Sequence, residues 1–304
     1  MSSYNSKEVF LKFEKNSHYL RVDDLHPLEL LIGLNDSGQK TIRFIGHFQR
    51  VQVKGTKTIE VNHYQLNDRY IISFSLSNVN YLDLFYLFCN DLIDSSRSIE
   101  QQDGYQFIVN RFDKWKGFGN STRQYLSEIE IKGLLGELVF LKNHMIDKYG
   151  ISKSINGWTG PEPTKKDFSY DTTWYEVKSV SKDTVSISSI EQLDSDRVGM
   201  LILMYFEKLS PEAKELTLNK VVDDILSLIQ LDSDRALFIM KLVQVGFYKE
   251  DYYDSFVYKL RDEAFYEVND KFPKISLSDL PSAVSNVRYD LYINSLVEFR
   301  KDTI

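Results

Sequence analysis

The sequence predicts an α/β fold, a mixed β-sheet flanked by helices, preceded by a β-rich N-terminal region. Three stretches carry that expectation. Thr173 to Val180 alternates with period two, Gly199 to Glu207 (GMLILMYFE) is almost wholly apolar, and Leu126 to Met145 spaces its apolar residues at helical intervals. Alternation marks a strand with two unlike faces, and a short apolar run marks a strand buried on both. Helical spacing gathers the apolar side chains on one side of a helix.

Composition bounds the reading. The 304 residues, 42% of them hydrophobic, suffice for one large domain or two modest ones with a real core. We expect residues 1–120 to form a β-rich region with closing helices, and 121–304 to form the α/β domain. Gly117, Gly119, Asn120 and Ser121 punctuate that boundary. No run approaches the roughly 18 apolar residues of a membrane span. The opening MSSYNSKEVFLKFEK has no apolar signal region, so a cytoplasmic location without membrane contact is expected. The single cysteine, Cys89, excludes an internal disulfide framework and reads as an inert core thiol. A net charge of -7 argues against strong stand-alone binding to nucleic acid, which depends on phosphate neutralisation. A local basic patch can still guide a polyanion.

Along the chain, Thr41 to Val53 and Tyr70 to Leu76 are strand-like by β-branched and aromatic content. Asn35 to Gly38 is a turn signal. The histidines His18, His26, His47, His63 and His144 are scattered, which argues against a histidine metal site. No phosphate-binding glycine loop of the GxxxxGK[S/T] type is present. Asn80 to Ser95 and Gln101 to Trp115 read as helices. The second leads into RFDKWKGFGNSTR, where Arg111, Lys114, Lys116 and Arg123 interleave with Phe112, Trp115 and Phe118. Cations among aromatics can hold a nucleic-acid backbone and stack bases. The same segment also reads as a hinge with Trp115 buried.

Ser127 and Glu130 fit a capping box that opens the helix from Leu126. Gly133 and Gly136 inside it together cost about 1.5–2 kcal/mol relative to alanine, a cost that close approach of another backbone would explain. Glu137 lies among apolar neighbours. It either faces solvent or has a cationic partner, a metal or a lysine. In the alternating strand, Trp174, Glu176, Lys178 and Val180 share one face, and Tyr175, Val177 and Ser179 share the other. Glu176 and Lys178 therefore project side by side, roughly 6–7 Å apart at a rise of about 3.3 Å per residue. Asp167 arrives from the preceding strand or turn. Two carboxylates and a lysine at one spot suit a hard cation, Mg²⁺ or Mn²⁺, held by oxygen ligands, water and substrate phosphate. That is the chemistry of phosphodiester hydrolysis. Thr184 to Ser188 reads as a further strand. Leu216 to Leu231 and Asp234 to Val245 read as helices, and Val257 to Leu260, Ala264 to Val268 and Val287 to Ile293 as strands.

The order of Glu137 in GLLGEL, Asp167 in KKDF, and Glu176 and Lys178 in YEVKS resembles the PD-(D/E)XK nuclease superfamily. More narrowly, the chain from about Lys116 onward is similar to the family known as domain of unknown function 4420. Trp158, SSIEQL and the C-terminal Phe272-Pro273 and Leu280-Pro281 share in that likeness. Lys166 stands before Asp167 where the superfamily commonly has proline.

The resemblance implies a restriction-endonuclease-like core and a metal-dependent nuclease acting on DNA. Asp167 and Glu176 would be the principal ligands of Mg²⁺ or Mn²⁺, Glu137 a third acidic group, and Lys178 the group that orients water or steadies developing charge. Ser189 and Gln192 would flank the site; independently of the resemblance, the interleaving of cations with aromatics offers Arg111, Lys114 and Lys116 as further substrate contacts. The resemblance also implies a restriction-modification or phage-defence setting, with a helicase or methyltransferase partner choosing the target. The alternative is a catalytically silent scaffold of the same fold, an adaptor subunit of a defence complex.

Overall fold

The computed structural model describes residues 4–13, 19–117, 125–162, 166–284 and 286–304. The chain forms two compact units, Met1–Thr122 and Arg123–Ile304.

The first unit opens with a short helix, α1 (Ser6–Phe10), and continues through β1 (Tyr19–Arg21), β2 (Leu30–Leu34), β3 (Lys40–Gly46), β4 (Ile59–Leu66) and β5 (Arg69–Leu76). These strands form one antiparallel sheet in the order β1-β2-β3-β5-β4. Two helices follow, α2 (Leu82–Ser95) and α3 (Gly104–Gly117). Alternate residues of β3 and β5 form the core face, where Phe74 meets Phe112 of α3 at 4.9 Å and Phe88 of α2 at 5.4 Å between ring centroids. Cys89 is buried in α2, and burial pushes its thiol pKa up, as an inert core thiol requires.

One strand expectation fails here, and one strand was not expected. The strand expected through Val53 stops at Gly46. Beyond it, Phe48 stacks on Tyr105 at 3.8 Å, and the Tyr105 hydroxyl accepts from Val51 N at 2.9 Å, so side-chain anchors replace the ladder. Strand β4 was hidden because IEVNHYQL is mostly polar, as befits a half-exposed edge.

The second unit starts with α4 (Glu128–Phe140), capped as expected by the reciprocal Ser127–Glu130 bonds. The helix runs on through a π-turn (Leu141–Met145) into α5 (Ile146–Tyr149), then α6 (Ile151–Gly157). The strands are β6 (Phe168–Ser169), β7 (Trp174–Val180), β8 (Thr184–Ile187) and β9 (Gly199–Lys208). After α7 (Leu218–Leu228) and α8 (Asp232–Gln244) come β10 (Tyr258–Val268), β11 (Tyr289–Tyr292) and β12 (Arg300–Lys301). The main sheet has the order β12-β10-β9-β7-β6. Its central pair, β7 and β9, is parallel, and the other pairs are antiparallel. It is a mixed sheet, with helices α4, α7 and α8 sharing the core on its Tyr175/Val177 face.

The segment 184–188 is a strand but not a member of that sheet. It pairs only with β11, and the pair covers the Trp174/Val180 face through Val185 and Ile187. The two strands expected at 257–260 and 264–268 are one. The charged Arg261-Asp262-Glu263 interrupts the apolar pattern, yet it is an irregularity within β10. Among the described residues no helix is long and apolar enough to cross a membrane.

Candidate active site

Glu176 and Lys178 lie on one face of β7, two residues apart, and their side chains meet. Lys178 Nζ is 2.8 Å from Glu176 Oε1. Glu176 is wholly buried. Among the described residues neither of its oxygens has an aligned hydrogen bond: Oε1 has the ammonium, and Oε2 has no hydrogen-bond partner. Asp167 sits just before β6, whose Phe168 pairs with Tyr175 of β7. Its Oδ2 accepts the backbone N–H of Val177 at 2.8 Å, so the carboxylate is pinned to the strand between Glu176 and Lys178.

The turn before Asp167 is tightly bonded. The Asp167 carbonyl accepts from Thr159 N at 2.8 Å and from Gly160 N at 2.9 Å, and Trp158 bridges to Phe168. Glu137 comes from α4 onto this turn. Its Oε2 accepts from Trp158 Nε1 at 2.8 Å. A Cβ on Gly160 would lie 2.5 Å from that same oxygen, so only glycine lets the carboxylate rest there. Glu137 therefore does not point to open solvent. The helix reaches the sheet through Gly136, where a Cβ would stand 2.7 Å from Ser179 Oγ of β7. Close approach explains Gly136; around Gly133 there is open space, and the same account does not apply.

The electrostatics follow from this crowding. Burial raises the Glu137 carboxyl well above its ordinary range, and Asp167 and Glu176 add to the rise against the Trp158 hydrogen bond. Burial also raises Asp167, while Lys178, the Val177 N–H and Lys166 pull it back. Glu176 is pushed up to about 8, by burial first and Asp167 second, against Lys178 and Lys166. For Lys178, burial alone would lower the pKa, but Glu176, Asp167 and Glu137 outweigh it and keep the ammonium charged. Three enclosed acids thus face Lys178 at contact and Lys166 further off, and burial still holds their pKa values up.

Ser189 and Gln192 lie on the turn after β8, a 3₁₀ segment over Ile190–Gln192. Gln192 Oε1 accepts from Ser188 N at 2.7 Å, a local cap that leaves its Nε2 hydrogens to donate elsewhere. Sequence reasoning passed over Lys166, whose ammonium bonds the carbonyls of Gln192 and Asp194 at 2.8 and 3.2 Å and lies 3.6 Å from the centre of the Trp174 ring. Its available signal was adjacency to Asp167. The role of the Trp158 indole was equally hidden.

Arg111, Lys114 and Lys116 belong to α3 in the first unit. Arg111 Nε donates to Asp91 at 2.7 Å, and the Trp115 indole donates to the same carboxylate at 2.6 Å. Lys116 pairs with Asp113 at 2.7 Å and covers the Phe112 ring. Lys114 is exposed and lines a cleft of about 590 Å³ with Phe107 and Asn110. Phe118 and Arg123 lie outside the described residues.

Among the described residues no three His, Cys, Asp or Glu side chains stand ready-made around one metal position. The donor set nevertheless fits a hard divalent cation. It is all oxygen, Glu176 Oε2 is buried without a partner, and Mg²⁺ needs only one or two carboxylates beside water and phosphate.

A mixed sheet with a helix-borne glutamate beside Asp167, Glu176 and Lys178 defines an α/β chain of the PD-(D/E)XK-like class. The family model described as "Putative PD-(D/E)XK family member (DUF4420)" matches residues 5–294, and the chain belongs to that family. The match takes in the first hundred residues as well as the region from Lys116 onward, where the sequence likeness was plainest. No curated protein and no solved structure matches the chain.

Proposed function

We propose that the protein is a divalent-metal-dependent nuclease that hydrolyses phosphodiester bonds in DNA. The observation that carries the reading is the convergence of Asp167, Glu176, Glu137 and Lys178, with Glu176 Oε2 left unpartnered. Asp167 and Glu176 would hold Mg²⁺ or Mn²⁺, and Glu137 would bind it directly or through water. A cation bound there lowers the pKa of water and neutralises charge on a phosphoryl oxygen. Lys178, held charged by its three acidic neighbours, is suited to orient the attacking water and to steady the pentavalent phosphorus, not to act as a base. The water oxygen bonds to phosphorus and gives up a proton to solvent, the ester P–O bond breaks, and the departing alkoxide takes a proton from solvent.

A restriction-modification or phage-defence system is the setting we favour, with a helicase or methyltransferase partner supplying target choice. The acidic balance of the chain, -7, supports dependence on such a partner. The complete burial of Glu176 favours a second reading, a silent scaffold of the same fold serving as an adaptor.

The test is cleavage of supercoiled and linear DNA by the purified protein with Mg²⁺, Mn²⁺ or chelator, beside Asp167→Ala and Lys178→Ala. Cutting that needs metal and is lost in both variants is expected. Cutting that survives both overturns the assigned site. A folded protein that never cuts, even with the product of a neighbouring gene added, favours the scaffold.

A further inference from the structure

Lys166 is a half-buried lysine that joins three parts of the candidate site. It precedes Asp167 in the chain. Its Nζ donates to the carbonyls of Gln192 and Asp194 at 2.8 and 3.2 Å. The same ammonium lies 3.6 Å from the centre of the Trp174 ring, on the face of β7 that carries Glu176 and Lys178. Trp174 is fully buried and fixed by its own Nε1 bond to the Arg197 carbonyl at 3.0 Å, so the platform is rigid. Around the ammonium, Glu176 and Asp194 attract, and Lys274 and Arg197 repel.

The 189–194 turn packs its Leu193 into the apolar cluster that holds Trp174 and Val180, and Lys166 adds polar bonds to it. Gln192 spends its side-chain oxygen on Ser188, within the turn, and Asp194 accepts Leu277 N at 3.1 Å on the far side. An ammonium has three hydrogens and no acceptor, which suits two convergent carbonyls and an aromatic face at once. A proline at this position could supply none of these contacts.

We propose that Lys166 is a positioning residue that latches the Ser189–Asp194 turn to β7, so that the Gln192 amide is held beside the Asp167–Glu176 carboxylates to receive a substrate phosphate. The proposal rests on the nuclease reading for its substrate, but the latch itself can be read without cleavage.

The experiment uses the full chain and compares Lys166→Met, Lys166→Arg, Gln192→Ala and the double variant Lys166→Met/Gln192→Ala. Hydrogen exchange read by mass spectrometry reports the latch. Amides of 188–194 exchange at least tenfold faster in Lys166→Met, return toward wild type in Lys166→Arg, and do so at an unchanged global melting temperature. Steady-state cleavage of a DNA duplex reports the positioning. Lys166→Met raises KM about tenfold with kcat within about threefold, Gln192→Ala does the same, and the double variant is no worse than either, because coupled residues are not additive. Wild-type exchange in the turn of Lys166→Met overturns the latch. Additive KM effects, or a loss confined to kcat, overturn the positioning role. If Lys166→Met does not fold, Lys166→Gln takes its place in the same cycle. A folded wild-type chain that does not cut DNA even with the product of a neighbouring gene added counts against the nuclease reading, and the exchange result still decides the latch.

Discussion

At the scale of single residues, the site is a contest between burial and charge. Glu176 is moved from its ordinary 4.5 to about 8, so the folded chain holds a proton that the unfolded chain releases. Its contribution to stability is therefore complete below about pH 4.5 and is lost as pH rises toward about 8. In chelator, the melting temperature should fall across that window relative to Glu176→Gln, whose slope should be flatter. Added Mg²⁺ or Mn²⁺ should restore stability most at the alkaline end, since bound cation replaces the proton. Parallel pH profiles for wild type and variant in differential scanning calorimetry would contradict this. Gly160 makes a second case. Its missing Cβ leaves room for Glu137 Oε2, so Gly160→Ala should push the carboxylate off the Trp158 indole. We expect a loss of about 1–3 kcal/mol in urea unfolding, together with weaker Mn²⁺ binding by calorimetry. Glu176 and Lys178 could be placed side by side from the sequence because strand alternation fixes which side chains share a face, whereas Asp167 lies off that strand and rested on its spacing and on the family resemblance. Lys166, Trp158 and Gly160 were not legible, because their partners lie on other elements and no local pattern encodes them.

At the scale of elements, the meeting of α4 with β7 brings Glu137 to the other acids. The two glycines of α4 separate propensity from packing. Gly133 faces open space, so Gly133→Ala should stabilise the chain by about 0.5–1 kcal/mol through helix propensity alone. Gly136 lies against Ser179, so Gly136→Ala should destabilise by about 1–3 kcal/mol despite the same propensity gain, by lifting the helix off the strand. Equal shifts in chemical unfolding would mean that α4 does not rest on β7 as described. Strand β7 was readable because its side chains alternate, β9 because its run is apolar nearly throughout, and α4 because a capping box opens it. Strand β4 was not, since an edge strand with polar residues lacks a hydrophobic signature. The partner of β8 was not either: alternation announces a strand but says nothing of its sheet, and the pairing with β11 spans about a hundred residues.

At the scale of the whole molecule, sign of charge sets the terms of any encounter with a polyanion. The chain carries -7, and its second unit gathers three enclosed acids around Lys178, so a phosphate approaching that cluster meets like charge once pH passes about 8 and Glu176 has released its proton. A divalent ion would invert the local sign. If DNA docks at this cluster, its affinity must depend on the cation even when no bond is cut. Ca²⁺ often occupies oxygen sites without supporting the chemistry that Mg²⁺ supports. We expect affinity for a labelled duplex, read by fluorescence anisotropy, to rise at least tenfold from chelator to Ca²⁺, a gain of about 1.4 kcal/mol. Asp167→Asn removes a repelling charge and a ligand together. It should bind DNA more tightly than wild type in chelator and respond less to Ca²⁺. A general basic surface elsewhere would give the opposite pattern, with affinity set by salt and indifferent to Ca²⁺ and to Asp167. In that case the carboxylates would not be where DNA is held, and the acidic cluster would be a structural feature of the scaffold.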